Sequence, residues 1–426
     1  MPMFATLAGN WSSQKQSRAS YYIGMLASQI GVKQDRGNGV ACDSLGNMYI
    51  TGQSNYDGNN NVIIVKYSAS GVLQWQRKLG NSGADTGRRI AVDISGNSYV
   101  VGSVTIAGAP RSSFLVKYDT FGSIQWQKIL DLDGHFASEG GVSLDALGNI
   151  YIVNGFYTLG AIIAKYNSSG TLQWQRKLGI SSGQCEVGSD SLGNAYITCI
   201  VSISSINYVI IAKYSASGDL QWQRRIANPY VYGAKADGFG NTYIIGSTYS
   251  SVTSSMDIFI AKYNTTGVIQ WQRTMGTGAY ESIGNLSLDA QGNIYICGYT
   301  DQTNSIIAKF NNSGTLQWQR SLASLGYDTL TDIAVDNSGN MYVTGVSDLN
   351  GYPYIVLAKL PSDGSLTGSY IVNGYNFTYG ISNLTSTTST FTEEISSLAE
   401  ASSNLVDGVG TITDVAAGLI SSVTIL

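Results

Sequence analysis

Charge is scarce in this chain. Only 12% of its 426 residues are Asp, Glu, Lys or Arg, about half the usual share. With 24 cations against 28 anions there is no basic stripe, which excludes a nucleic-acid footprint. There is one histidine, His135, which excludes a His-based metal cluster and leaves any His–nucleophile pair resting on that residue. Its loop position favours a solvated role. The cysteines Cys42, Cys185, Cys199 and Cys297 have no CxxC spacing and fall in strand-like segments, so they read as buried free thiols. No apolar run of about 18 residues exists, so no membrane span is expected. The opening MPMFATLAGNWSSQKQ lacks the apolar core of a secretory signal. No phosphate-binding loop is present. The recurring Asp-x-x-Gly-Asn is too short for an EF-hand calcium loop. No catalytic residue, metal or cofactor is therefore assigned.

Glycine, the hydroxyl and amide residues, and tyrosine take the place of charge. Tyr outnumbers Phe by 28 to 10, which suits strands with one wet edge. Three phrases recur in order. D-x-x-G-N-x-Y begins at Asp43, Asp93, Asp145, Asp190, Asp237, Asp289 and Asp336. A second phrase, as in IIVKYSASG, carries Lys66, Lys117, Lys165, Lys213, Lys262, Lys309 and, more loosely, Lys359. LQWQR and its variants carry Trp75, Trp126, Trp174, Trp222, Trp271 and Trp318. The tyrosines of the first phrase stand 45 to 52 residues apart, a propeller period rather than a helical-repeat one.

Each unit reads as four short strands a–d bounded by Gly, Asn, Asp or Ser, with a tight Asp-x-x-Gly-Asn turn between a and b. Seven such units make an all-β, seven-bladed propeller of four-stranded antiparallel blades. LQWQR is then the outermost strand, and its Trp is expected to lie mostly buried between blades near the rim. The seventh Trp slot after Lys359 holds Gly368, whereas Ser20–Ser28 places Met25 as far before Asp43 as Trp75 stands before Asp93. The N-terminal segment is therefore expected to close the last blade as its strand d, beside Tyr354–Leu360. The domains follow as an arm at 1–19, a propeller at 20–373 and a tail at 374–426.

The sequence D-x-x-G-N-x-Y-[IV]-x-G followed by A-K-[YF]-x-x-x-G, from Gly39 to Gly364, resembles the SBBP-type seven-bladed β-propeller repeat family. The resemblance implies a fold and an interaction scaffold, not an activity.

The a–b and c–d turns share one end of the blades and repeat monotonously. The b–c and d–a loops share the other end and vary. Variable loops on a rigid scaffold are where binding function concentrates. Tyr56, Phe136, Tyr157, Tyr230, Tyr232, Tyr249, Tyr280, Tyr299, Tyr327 and Tyr352 fall there and are the ligand-face candidates, suited to glycan or protein. The bland alternative is loop tyrosines that pack only their own loops. Strand-a residues read as mostly apolar or small, which disfavours a hydrolase or lyase centre in the channel.

After Lys359 there is no Lys or Arg. Phe377, Leu384, Phe391, Leu398, Leu405, Ile412, Leu419 and Leu426 follow at intervals of seven, with Ile381, Ile395, Val409 and Val423 between them. That spacing is an a/d heptad and is expected to be an oligomerisation or anchoring seam. Gly408, Gly410 and Gly418 weaken a helical reading, which leaves an extended tail draped over the propeller as the alternative. The sum is a non-enzymatic structural or binding protein, expected as a virion component such as a bacteriophage fibre or decoration protein. Its partners would be virion proteins or its own protomers through the tail, and host-surface glycan or protein through the loop face. A cell-surface or extracellular adhesin is the alternative, and a propeller hydrolase or lyase ranks below both.

Overall fold

A computed structural model describes residues 21–27, 35–55, 59–80, 83–105, 111–131, 140–156, 160–178, 182–203, 206–227, 230–250, 254–276, 279–300, 304–372 and 375–382. It also describes the tail segments 385–388, 393–395, 400–401, 406–408, 413–416 and 420–425. The arm 1–19 and His135 lie outside the described residues. Seven antiparallel sheets form the ring. Blades 1 to 6 run Arg36–Gly80, Thr86–Asp131, Gly141–Leu178, Ser182–Ala227, Tyr230–Gly276 and Glu281–Ala323. Blade 7 takes strands a, b and c from Tyr327–Pro361 and strand d from Tyr22–Ala27. Alternating Ile, Val and Tyr of strands b and c fill the seams between blades, where Tyr49, Tyr99, Tyr151, Tyr196, Tyr243 and Tyr295 are at most 1% exposed.

The repeated phrases form a clasp from each blade to the next. In the first turn, Asp43 Oδ1 accepts from the backbone N–H of Leu45 and Asn47 at 3.0 and 2.9 Å, and Oδ2 accepts from Asn47 Nδ2 at 2.7 Å. This network holds Tyr49, whose hydroxyl lies 3.0 Å from the Gly96 carbonyl in the turn of blade 2. Lys66 Nζ and Trp75 Nε1 both donate to Thr120 O of blade 2, at 3.1 and 3.0 Å. Arg77 Nε donates to Gly122 O at 2.6 Å. The same bonds shut the ring, with Tyr342 OH 3.2 Å from Gly46 O and Lys359 Nζ 3.1 Å from Ala69 O. These bonds end on backbone carbonyls, which leaves the partner side chain free to vary; between blades 5 and 6 the Asn312 side-chain oxygen accepts from Tyr243 and Lys262 instead.

The six repeat tryptophans are mostly buried against the seams between blades, and each lays one face on the neighbouring c–d turn. Two expectations need correction. The Trp slot of blade 7 falls to Tyr22, which pairs Lys359, and not to Met25, which pairs Val356. The link between blades varies in length: Tyr22 stands 21 residues before Asp43, and Trp75 stands 18 before Asp93. Cys185 and Cys199, directly opposite on strands a and b of blade 4, form a disulfide, whereas Cys42 and Cys297 are free thiols.

The tail is the largest departure. Gly368–Val372 and Tyr375–Ile381 form a hairpin whose second strand adds to strand d of blade 6. The chain then passes back round the ring, adding a fifth strand to blade after blade. Thr385–Thr388 joins blade 5, Glu393–Ile395 blade 4, Glu400–Ala401 blade 3, Val406–Gly408 blade 2 and Thr413–Ala416 blade 1. Ile420–Ile425 pairs with Tyr22–Ala27 on blade 7. The described seam positions are thus strand, not helix. The spacing of seven is the step from one blade to the next, a span of about 23 Å for an extended chain. The same phase meets the same residue each time: Ile381 faces Arg320, Thr388 faces Arg273, Ile395 faces Arg224 and Ala416 faces Arg77. Phe377, the first of the expected seam, is 1% exposed in the core between blades 6 and 7, while Ile381 is 73% exposed. Leu384, Phe391, Leu398, Leu405, Val409, Ile412, Leu419 and Leu426 lie outside the described residues, and Val423 is known by its backbone pairing with Gly24.

Candidate functional site, a funnel at the mouth of the channel

Strand a of most blades is not regular. Its pairing with strand b skips Asn38, Arg88, Tyr232, Gly284 and Thr331 in blades 1, 2, 5, 6 and 7, and Gly183 and Gln184 in blade 4. A bulge of this kind turns an unpaired residue out of the sheet. Because strand a begins at the variable loops, the bulges sit at that end of the channel. Arg88, Gln184, Tyr232, Gly284 and Thr331 line one cavity of about 470 Å³, together with Arg36, Tyr299 and Tyr327. The cations come from blades 1 and 2, the tyrosines from blades 5 to 7.

Below the funnel a polar ring narrows the channel. The residue four before each repeat Asp is Gly39, Arg89, Gly141, Glu186, Gly233, Asn285 or Asp332. Arg89 and Glu186 form an ion pair of 2.7 Å with both side chains 6% exposed, and Arg89 also donates to Asn38 O at 2.9 Å. Asp332 accepts from Asn285 Nδ2 at 2.6 Å, from the N–H of Val40 at 2.8 Å and from that of Ile333 at 3.0 Å. Glycine in the ring makes room for the neighbour: a Cβ on Gly141 would stand 2.8 Å from Glu186 Oε2, and one on Gly233 would stand 2.5 Å from Asn285 Oδ1. These carboxylates are engaged in holding blades together. Arg88 stands 3.9 Å from Glu186, at the floor of the funnel.

Of the expected ligand-face residues, Tyr232, Tyr299 and Tyr327 meet at the funnel. Tyr230 and Tyr280 are close enough to Tyr232 to act on it electrostatically. Burial, with Tyr280 and Tyr299 beside it, pushes the Tyr232 phenol up to about 12 against a pull down by Ser282. Tyr249 is 64% exposed and Tyr352 39% exposed, neither lining the funnel. Tyr56, Phe136 and Tyr157 lie outside the described residues. Sequence reasoning missed Arg36, Arg88 and Gln184, and the ring of Arg89, Glu186, Asn285 and Asp332. Alignment of the repeats on their Asp exposes the ring, because that slot alternates between glycine and a polar residue. Among the described residues, no group of three His, Cys, Asp or Glu could hold a metal ion, and no helix is long and apolar enough to cross a membrane.

The geometry defines a seven-bladed β-propeller with a bulge-lined mouth. The model of the SBBP beta-propeller repeat family matches residues 74–103, from strand d of blade 1 into strand b of blade 2. No curated protein matches it. Among solved structures, a protein of unknown function from Bacteroides caccae is similar at 11% identity and a TM-score of 0.35, over 59% of this chain and 93% of that one. The polysaccharide lyase Uly1 is similar at 9% identity and 0.44, over 79% and 92%. BBS1N, solved in complex with ARL6DN, is similar at 10% identity and 0.39, over 79% and 98%.

Proposed function

We propose that this protein is a non-enzymatic structural and binding protein, a propeller recognition head carried on a virion as a bacteriophage fibre or decoration component. One observation carries the binding part. The repeated side chains are used in blade-to-blade bonds, while the side chains that differ between blades converge on one funnel. The opposite face suits mounting on other virion proteins or on further copies of this chain. There Leu45, Ile94, Leu147, Leu192 and Phe239, one from each of five blades, are 77% to 90% exposed. The tail, whose described segments lie on the chain's own blades, is proposed as the second place where a neighbouring protomer attaches. A cell-surface or extracellular adhesin is the second reading. The Cys185–Cys199 disulfide favours it, because such bonds persist in oxidising compartments.

The experiment has two parts. Purified protein is applied to an array of host-surface glycans and, separately, purified particles are labelled with antibody to the protein. Binding that falls on Tyr327→Ala, with label on the particles, supports the proposal. Cleaved saccharide in the binding reaction refutes the non-enzymatic part, and particles free of the protein refute the virion part.

A further inference from the structure

We infer that the funnel is a subsite for a carboxylate-bearing saccharide, with Arg36 and Arg88 taking the carboxylate and Tyr232, Tyr299 and Tyr327 taking an apolar sugar face. The inference rests on the recognition reading above and adds the ligand's class. Its basis is the division of the mouth. Arg36 is exposed at the start of strand a in blade 1, and Arg88 is turned out by the bulge in blade 2. Among the described residues that line the funnel the charged ones are Arg36, Arg88 and Arg89, and Glu186 beneath them pairs with Arg89 at 2.7 Å and with Arg88 at 3.9 Å. The described lining thus sets three cations over one carboxylate in a chain whose net charge is −4. Guanidinium groups present a planar fork that matches a carboxylate.

The other half of the mouth is aromatic. Tyrosine offers a flat apolar body with a polar edge, which fits the C–H face of a pyranose and its hydroxyls together. Gln184 from blade 4 completes the rim with an amide that both donates and accepts. A volume of about 470 Å³ lies within the usual range for small-ligand sites. An acidic peptide would use the arginines and leave the tyrosines idle. An acidic saccharide uses both halves.

The test is calorimetric titration of the full chain with a short oligogalacturonate, its neutral methyl ester, a sulfated neutral oligosaccharide of equal length and a polyglutamate peptide. The oligogalacturonate is expected to bind at least about tenfold more tightly than its ester, the loss of one charge-assisted pair, and to weaken with added salt. Arg36→Gln with Arg88→Gln should remove that tenfold preference, and Tyr327→Ala should weaken acid and ester alike. An unchanged circular dichroism melt shows that the variants fold. Equal binding of acid and ester overturns the inference but leaves saccharide recognition standing. Tighter binding of the sulfated saccharide, or of polyglutamate without dependence on Tyr327, also overturns it. No binding of any saccharide overturns the inference and the glycan reading together.

Discussion

Replacing Trp75 by alanine measures the blade clasp, and Gly122 makes the measurement specific. The indole is mostly buried, so roughly 160 Å² of its surface is withdrawn from water, worth about 4 kcal/mol. Its N–H also donates to Thr120 O at 3.0 Å, worth about 1 kcal/mol. Trp75→Ala should therefore cost about 4–5 kcal/mol. Trp75→Phe should cost about 1 kcal/mol, because Lys66 still serves the Thr120 carbonyl. Gly122 has φ of 78°, and a Cβ there would stand 2.7 Å from Trp75 Cδ2. In the native background Gly122→Ala suffers the left-handed backbone cost of about 1–2 kcal/mol and a collision with the ring. In the Trp75→Ala background only the backbone cost remains. Urea unfolding of the four proteins in this cycle should show a coupling of about 1 kcal/mol or more. Equal costs of Gly122→Ala in both backgrounds would refute the idea that the ring lies on the neighbouring turn.

Truncation after Ile381 should leave the strand signal intact but strip the outer strands from six blades; sedimentation should show self-association through bare edges, and a monomer with an unchanged melting temperature would contradict this. Reducing the Cys185–Cys199 bond, which closes a sequence separation of 14, should lower stability by about 3 kcal/mol, read from unfolding with and without dithiothreitol. Tyr232 should resist ionisation in an alkaline titration followed at the tyrosinate absorbance. Its folded pKa of about 12 exceeds the ordinary phenol value of 10.0, so its contribution to stability is complete below pH 10 and is lost as pH rises through 12. Tyr232→Phe should flatten that loss.

The repeat phrases were legible because each residue in them serves the same geometry in unit after unit: Asp43 organises its own turn, the equivalent of Tyr49 recurs in all seven units, and that of Trp75 in six. The number of blades and the closing role of the N-terminal strand follow from counting them. The exact slot in the last blade did not, because link length between blades is free to vary and shifts Tyr22 to the place expected for Met25. The interval of seven in the tail was also legible, but it has two physical sources. Helical packing gives it from angular period, whereas here translation from blade to blade gives it, and the glycines at 408, 410 and 418 were the sign against a helix. Strand alternation hid the funnel, because a bulge such as that at Arg88 breaks the period on which the reading depends. The disulfide could have been found by folding strands a and b about their turn, since Ser189 pairs Ala195 and Cys185 then meets Cys199.

The tail that passes round the ring limits how this chain can change over generations. Tandem repeats gain and lose copies when similar stretches of gene recombine, and a bare propeller could drift in blade number that way. Here every blade is matched to one seven-residue length of tail, in a fixed phase from Ile381 against Arg320 to Val423 against Gly24. A duplicated blade would leave one rim uncovered, and a deleted one would leave a tail segment with no edge to join. Copy number in one part of the gene is therefore tied to length in another. The two must change together, which makes this ring resistant to the single recombination event that reshapes other repeat arrays.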